Sequence, residues 1–314
     1  MENGNRSSVP EFTLLGLANS SWMQMLFFSL FLLLYLLILL GNLLITVTVY
    51  LEPRLHSPMY FFLSCLSLLD LCYSTVTLPE MLVNLLSDNK NISFHQCIVQ
   101  LFFLHFFGGT ECFLLTLMAY DRYVAISNPL HYNQLMNIDR CCWLVASTWV
   151  AGFMHSFLQA ALTAKVTFCG LKIIDHFFCD VHPLLALACT RDYFLEAMIV
   201  ANSGTISLAC FVVLLASYLG IAVTILRIRS EHGRSKAFST CATHLLVVTL
   251  FFGPCVFIYM RPAVNYPADK VVSVLYTVLT PLLNPVIYTL RNQEVKLSMW
   301  RMCGYAKPPA KSKG

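Results

Sequence analysis

The stretch "CIVQLFFLHFFGGTECFLLTLMAYDRY", residues 97 to 123, decides the fold. It is an apolar run interrupted by one carboxylate, Glu111, and closed by a charged pair, Asp121 and Arg122. About 20 apolar residues cross a bilayer as a helix. At about 1.5 Å of rise per residue, Cys97 and Arg122 stand roughly 37 Å apart, one at each rim. Six further runs share this character, so the expected spans are 23–50, 58–86, 97–123, 140–162, 196–226, 237–260 and 271–291. Each should be helical, because backbone polar groups cannot go unpaired in hydrocarbon. The composition agrees. Of the 314 residues, 58% are hydrophobic and 11% charged, where a soluble domain would carry about 25% charged residues. A soluble chain is excluded, and an all-α membrane protein, a seven-transmembrane helix bundle, is expected.

Seven spans place the termini on opposite sides. With the N-terminus outside, the inner segments and span ends hold 13 of the 20 lysines and arginines, among them Arg54, Arg122, Arg140, Arg227, Arg234 and Lys296. Basic residues accumulate on the cytoplasmic side, so the N-terminus is outside. The expected organisation is an extracellular segment 1–22, a transmembrane domain 23–291 and a cytoplasmic tail 292–314. No cleavable signal peptide is expected, since the first 22 residues are mostly polar and the first apolar run is a full span.

Asn5-Arg6-Ser7, Asn19-Ser20-Ser21 and Asn91-Ile92-Ser93 are glycosylation sequons on the outer side, with Asn5 the expected acceptor. Four of the 13 cysteines, Cys97, Cys169, Cys179 and Cys189, fall in outer segments, where disulfides persist. Four cysteines allow several pairings, and spacing alone does not choose among them.

Asp70 and Glu111 are the most costly residues in the chain, because a carboxylate at mid-bilayer is expensive and points to function. By helical rise, Asp70 lies roughly 18 Å above Pro58 and Glu111 roughly 21 Å below Cys97, so both reach the midplane. There the pair would bind a sodium ion or hold a proton, or stand as a protonated pair bonded to Asn42, Ser67 or Asn284. In the outer half of the same span, His105, Gly108, Gly109 and Cys112 share one helix face. That face either packs tightly through its glycines or leaves room for a ligand. No metal-ligand spacing accompanies His105 or Cys112, so no metal site is expected. Phe252, Cys255, Val256 and Tyr259 repeat the pattern in the sixth span. Asn202, Ser203 and Ile206 offer polar and apolar groups at similar depth in the fifth. Together they describe either ordinary helix packing or an apolar pocket with a few hydrogen-bonding groups, the character of a small-molecule site.

"GN" at 41–42, "LHSPMYFFLSCLSLLD" at 55–70, "MAYDRYVAISNPLHY" at 118–132, "HFFCD" at 176–180, "SY" at 217–218, "KAFSTCATH" at 236–244 and "PLLNPVIYTLRN" at 281–292 follow one another in order. In these motifs and their spacing the chain resembles the olfactory receptors, within the rhodopsin-like G-protein-coupled receptors. It departs from the family's pattern at Ser127, where cysteine is usual, and at Thr243, where serine is usual. At Phe252 it lacks the hydroxyl of the usual tyrosine.

The resemblance implies residue roles. Arg122, with Asp121 and Tyr123, would gate a G-protein cavity, held by Asp121 in the inactive state. Tyr218 and Tyr288 would swing toward it, while Asn284 and Pro285 kink the seventh helix. Cys97 would pair with Cys179, and Cys169 with Cys189. Asp70 and Glu111 match the family's ion site, taking Na+ or a proton, with no other cofactor. His105, Gly108, Gly109, Cys112, Asn202, Ser203, Ile206, Phe252, Val256 and Tyr259 would line or adjoin the odorant pocket. A short amphipathic helix would follow the seventh span. The implied partners are a small-molecule odorant, a heterotrimeric stimulatory G protein that raises cyclic AMP, and membrane lipid, with no nucleic acid. The chain would be a receptor at the plasma membrane and not an enzyme.

Two other readings are weighed. A non-olfactory chemoreceptor would share every feature above. A proton-coupled transporter using Asp70 and Glu111 would show internal repeats and broken helices, and no repeat is present. Apart from His105, no basic or acidic residue stands in the proposed pocket, so the expected ligand is small, neutral and mostly apolar.

Overall fold

The structure, a computed structural model, describes residues 11–18, 20–168, 172–189, 192–227, 231–260, 266, 268–291 and 293–302. Seven helices cross the membrane: α1 (Ser21–Leu51), α2 (Pro58–Leu86), α3 (Phe94–Ser127), α4 (Ile138–Thr163), α5 (Tyr193–Arg227), α6 (Glu231–Tyr259) and α7. The seventh is built from Ala268–Val274, a π-helical turn Leu275–Leu279 and Thr280–Arg291. Six of these are apolar over lengths that cross a membrane, and the sixth span contributes a shorter apolar stretch, His244–Tyr259. A short amphipathic helix, α8 (Gln293–Met302), follows. It buries Val295 and Met299 against Ile45, Val49 and Tyr60 while Lys296 and Arg301 stay exposed.

Helix starts follow from their first residues. Ser93 accepts a hydrogen bond from Gln96 N at 3.3 Å, and Gln96 Oε1 accepts one from Ser93 N at 3.1 Å, a capping box that opens α3. Asn137 caps α4 by accepting from Arg140 N at 2.8 Å. Pro58 begins α2, where its missing N–H costs nothing.

α3 is the central strut, packed against α2, α4, α5 and α6. Its contact with α4 depends on Gly152. A Cβ there would collide with the Thr110 side chain and stand 3.0 Å from Thr110 N and 3.1 Å from Phe106 O. The "GN" of α1 has a similar explanation. Gly41 lets the helix approach the Pro285 ring, whose carbons would lie 3.2 and 3.3 Å from an added Cβ. Pro285 has no N–H, so the carbonyl of Pro281 lacks its helical partner; Asn42 Nδ2 donates to that oxygen at 3.0 Å. The same logic joins α6 to α7: Pro254 leaves the Leu250 carbonyl unpaired, and Thr280 Oγ1 donates to it at 3.4 Å.

A three-stranded sheet covers the outer end, a feature the hydropathy reading does not contain. β1 (Glu11–Leu14) lies between β2 (Asn91–Ser93), antiparallel, and β3 (Ile173–Ile174), parallel. Phe12, Leu14, Ile92 and Ile174 are buried under it with Cys97 and Leu101. Lys270 at the head of α7 pairs with Asp175 at 2.5 Å and donates to Gly16 O at 3.1 Å, fastening the segment after β1.

Candidate functional site

Cys97 at the start of α3 is disulfide-bonded to Cys179, with Cα atoms 5.4 Å apart. Cys189 is also disulfide-bonded, and its expected partner Cys169 lies outside the described residues. So do Asn5 and Asn19, whereas Asn91 sits in β2 and accepts from Thr13 Oγ1 at 2.9 Å. The first bridge draws the segment His176–Asp180 over the bundle, where all five residues are buried.

Beneath this roof lies a narrow cavity with room of about 40 Å³ for water-sized molecules, so an odorant entering it must displace lining side chains. His105, Gly108, Gly109 and Cys112 of α3 line it together with Ser203 and Ile206 of α5 and Tyr259 of α6. Asn202, Phe252 and Val256 are not among the lining residues. Asn202 Nδ2 donates to His155 O at 3.3 Å and to Gln159 Oε1 at 2.6 Å, tying α5 to α4. Phe252 is buried edge-on against Phe251, and Val256 is half-buried. The cavity instead takes Phe251, Cys255 and Tyr259, a row at four-residue spacing one step around the helix from Phe252 and Val256. Tyr73, His155 and Tyr276 complete the wall from α2, α4 and α7.

Asp180 is the keystone of the roof. Its Oδ1 stands 3.3 Å from His105 Nε2 and accepts from Val181 N at 2.7 Å; its Oδ2 accepts from Tyr259 at 2.9 Å. Burial alone would push this carboxyl up. His105 and His182, with the Val181 N–H, overcome that and hold it down at about 2. Tyr259 in turn lies 3.5 Å from the Tyr276 hydroxyl, Tyr276 donates to Ser273 at 3.5 Å, and Ser273 meets His176 Nε2 at 3.2 Å. Burial, reinforced by Lys270 and opposed by Asp180, lowers His176 to about 4, so it is neutral in the folded roof at neutral pH.

At the midplane Asn284 Nδ2 donates to Asp70 Oδ2 at 2.9 Å, and Glu111 faces Asp70 closely enough for their charges to interact. Asp70 Oδ1, both Glu111 carboxylate oxygens, Asn42 Oδ1 and Asn284 Oδ1 are buried without a hydrogen-bond partner among the described residues.

At the inner end Arg122 pairs with Asp121, its Nε lying 3.0 Å from Asp121 Oδ2. Tyr218 bonds His244 Nδ1, and the ring of Tyr123 packs on Gly220, where a Cβ would lie 2.7 Å from it. The Tyr288 hydroxyl is buried and has no hydrogen-bond partner among the described residues.

A family model described as olfactory receptor matches residues 31–304. The chain is 56% identical over 295 residues to "Olfactory receptor 4E2" of Mus musculus, covering 94% of this chain and 96% of that one. It is 54% identical over 298 residues to the human "Olfactory receptor 4S2", covering 95% and 96%. The chain belongs to the olfactory receptor family. Olfactory receptors are a non-enzymatic class that takes odorant ligands and couples to G proteins, and this receptor is a multi-pass protein of the plasma membrane.

Three residues to which the sequence reading assigned no role take part in the receptor's architecture. His155 lines the cavity; it lies in an α4 stretch that otherwise looks like lipid-facing helix. His244 meets Tyr218 at the inner end. Tyr132, in a turn Tyr132–Leu135 after α3, donates to Asp121 Oδ1 at 2.7 Å. The last two stand inside motifs quoted for the resemblance, and that was the available signal.

Proposed function

We propose that this receptor binds a small, neutral, mostly apolar odorant in the cavity beneath Asp180 and activates a stimulatory G protein, raising cyclic AMP. The observation that carries the reading is that one helix, α3, presents both ends of the device. Its outer half offers His105, Gly108, Gly109 and Cys112 to the cavity, and its inner end carries Asp121 and Arg122. An odorant acts only through its differential affinity for two arrangements of the bundle. In the closed one, Asp121 holds Arg122 and Tyr132, and Tyr218 is engaged with His244. Release of Arg122, with movement of Tyr218 and Tyr288 around the Asn284-Pro285 kink, opens the inner face.

Asp70 and Glu111 are assigned to a sodium ion or a proton. The unpaired buried oxygens of Asp70, Glu111, Asn42 and Asn284 fit a hard cation, which prefers oxygen ligands. When bound, the charge offsets the two carboxylates and favours the closed bundle. The lipid partner is met by exposed leucines such as Leu33 and Leu40 of α1.

Cyclic AMP in cells that display the receptor, screened with a broad odorant panel, tests the reading. A ligand response that disappears in Arg122→Ala at equal surface display is the expected result. A response carried undiminished by Arg122→Ala would remove the switch from this account. Sodium dependence of thermal stability, lost in Asp70→Asn, separates the cation from the proton.

A further inference from the structure

His105 is the cavity's most obvious polar side chain, but it is engaged. Its Nε2 faces Asp180 Oδ1, and the hydroxyl of Tyr259 goes to the other oxygen of the same carboxylate. Asn202, the amide that the sequence places at this depth, spends its Nδ2 group on joining α5 to α4. Two lining side chains are in a different position. His155 Nδ1 and Ser203 Oγ are buried atoms with no hydrogen-bond partner among the described residues. Both side chains are more than nine-tenths buried, at 8% and 6% exposure. They stand on facing helices at one level, because Asn202, the neighbour of Ser203, donates to the backbone oxygen of His155. His155 is also fixed in place: its ring lies 5.6 Å edge-on from His105 and rests against Gly109, where an added Cβ would be 3.0 Å from Cδ2.

Buried polar groups are normally paired, and an unpaired set calls for a partner that the protein does not supply. A serine hydroxyl donates and accepts, and an imidazole Nδ1 does either according to tautomer. Leu104, Ile206, Phe251 and Cys255 supply the apolar part of the wall, and its other hydroxyls are those of Ser207, Tyr73, Tyr259 and Tyr276. We infer that the odorant carries one hydrogen-bonding oxygen, a hydroxyl or a carbonyl, on an otherwise apolar skeleton, and that this oxygen seats between His155 Nδ1 of α4 and Ser203 Oγ of α5. His105 belongs to the roof. The inference rests on the reading of this cavity as the odorant site. It makes His155 and Ser203 the residues that select for functional group, while the apolar wall selects for shape. A site built to pair with an oxygen rejects the analogue that lacks it, because its own polar groups then stay unpaired.

The test uses full-length receptor in cells, with surface display measured for each variant. The probes are medium-chain and monocyclic alcohols, the matching ketones and the matching hydrocarbons. Wild type is expected to respond to oxygenated members and at least about tenfold more weakly to hydrocarbons of the same skeleton. Ser203→Ala and His155→Leu should each lower potency toward the oxygenated members about tenfold, the loss of one hydrogen bond, and leave any hydrocarbon response where it was. His155→Gln, which keeps a bonding group, should recover part of the loss. His105→Leu should affect all ligands alike. A uniform shift across ligand classes in the His155 and Ser203 variants, or a functional-group-selective shift in His105→Leu alone, overturns the inference and leaves the cavity as the odorant site. Silence toward the whole panel from a displayed receptor overturns both.

Discussion

The phenol of Tyr132 donates a 2.7 Å hydrogen bond to Oδ1 of Asp121, eleven residues earlier, while Arg122 pairs with Oδ2 of the same carboxylate. Asp121 is 1% exposed, so its charge has little help from water and depends on these two partners. The turn after α3 is therefore part of the inner lock.

Tyr132→Phe keeps the ring and removes the donor. A hydrogen bond to a charged group is worth about 1.5–3 kcal/mol, so the closed arrangement should lose roughly tenfold or more in population. Basal signalling, measured without ligand and corrected for surface display, should rise accordingly. Unchanged or lower basal output would show that the Tyr132 bond does not favour the closed state.

Gly152→Ala and Gly108→Ala should behave oppositely. The first drives a methyl into Thr110 and its backbone neighbours, where α3 and α4 cannot yield cheaply. Overpacking of this kind costs about 1–3 kcal/mol, and thermal stability and surface display should fall. The second meets only the Tyr73 ring at 3.4 Å, an ordinary contact, and narrows the cavity. Its display should match wild type while odorant potencies change. Equal display for both would mean that the α3–α4 seam is looser than its geometry.

Roof stability should depend on pH through His176. Its pKa falls from 6.5 to about 4 when the roof is closed, so between these values the open segment binds a proton that the closed one does not. Stability is therefore complete above pH 6.5 and declines as pH falls toward 4, by about 2 kcal/mol at pH 5. Asp180, held at about 2 from an ordinary 3.8, contributes a further loss only below pH 3.8. Hydrogen exchange over residues 172–181 should accelerate from pH 7.5 to pH 5 beyond its intrinsic pH dependence, and His176→Gln should flatten the change. Identical wild-type and His176→Gln profiles would exclude this histidine.

The spans were legible because a lipid-crossing helix needs an apolar run of fixed length, and α1 to α5 supply it without ambiguity. Asp70 and Glu111 were placed near each other by counting rise alone. The outer sheet was not legible: "EFTL" and "NIS" are too short for an alternating pattern, and their partners are remote in sequence. On α6 the sequence pattern holds Cys255 and Tyr259, which meet the cavity, but also Phe252 and Val256, which do not, and it lacks Phe251, which does. A helix apolar on every side does not record which face is turned inward. The π-helical turn in α7 is likewise invisible in "LYTVL", though Pro281, two residues beyond its end, removes a donor that a regular helix would need. Spacing alone leaves the pairing of Cys97 with Cys179 open, and the resemblance supplies it.

The sheet over the outer end also has a consequence for biosynthesis. β1 is translated first, but β2 follows roughly 80 residues later and β3 roughly 160, which at about 5–20 residues per second is a wait of about 10 to 30 s. Through that interval "EFTL" stands in the lumen as an unpaired edge, open to any other extended chain. Closure waits for the segment between α4 and α5, so the first residues that the structure describes are among the last to reach their native place.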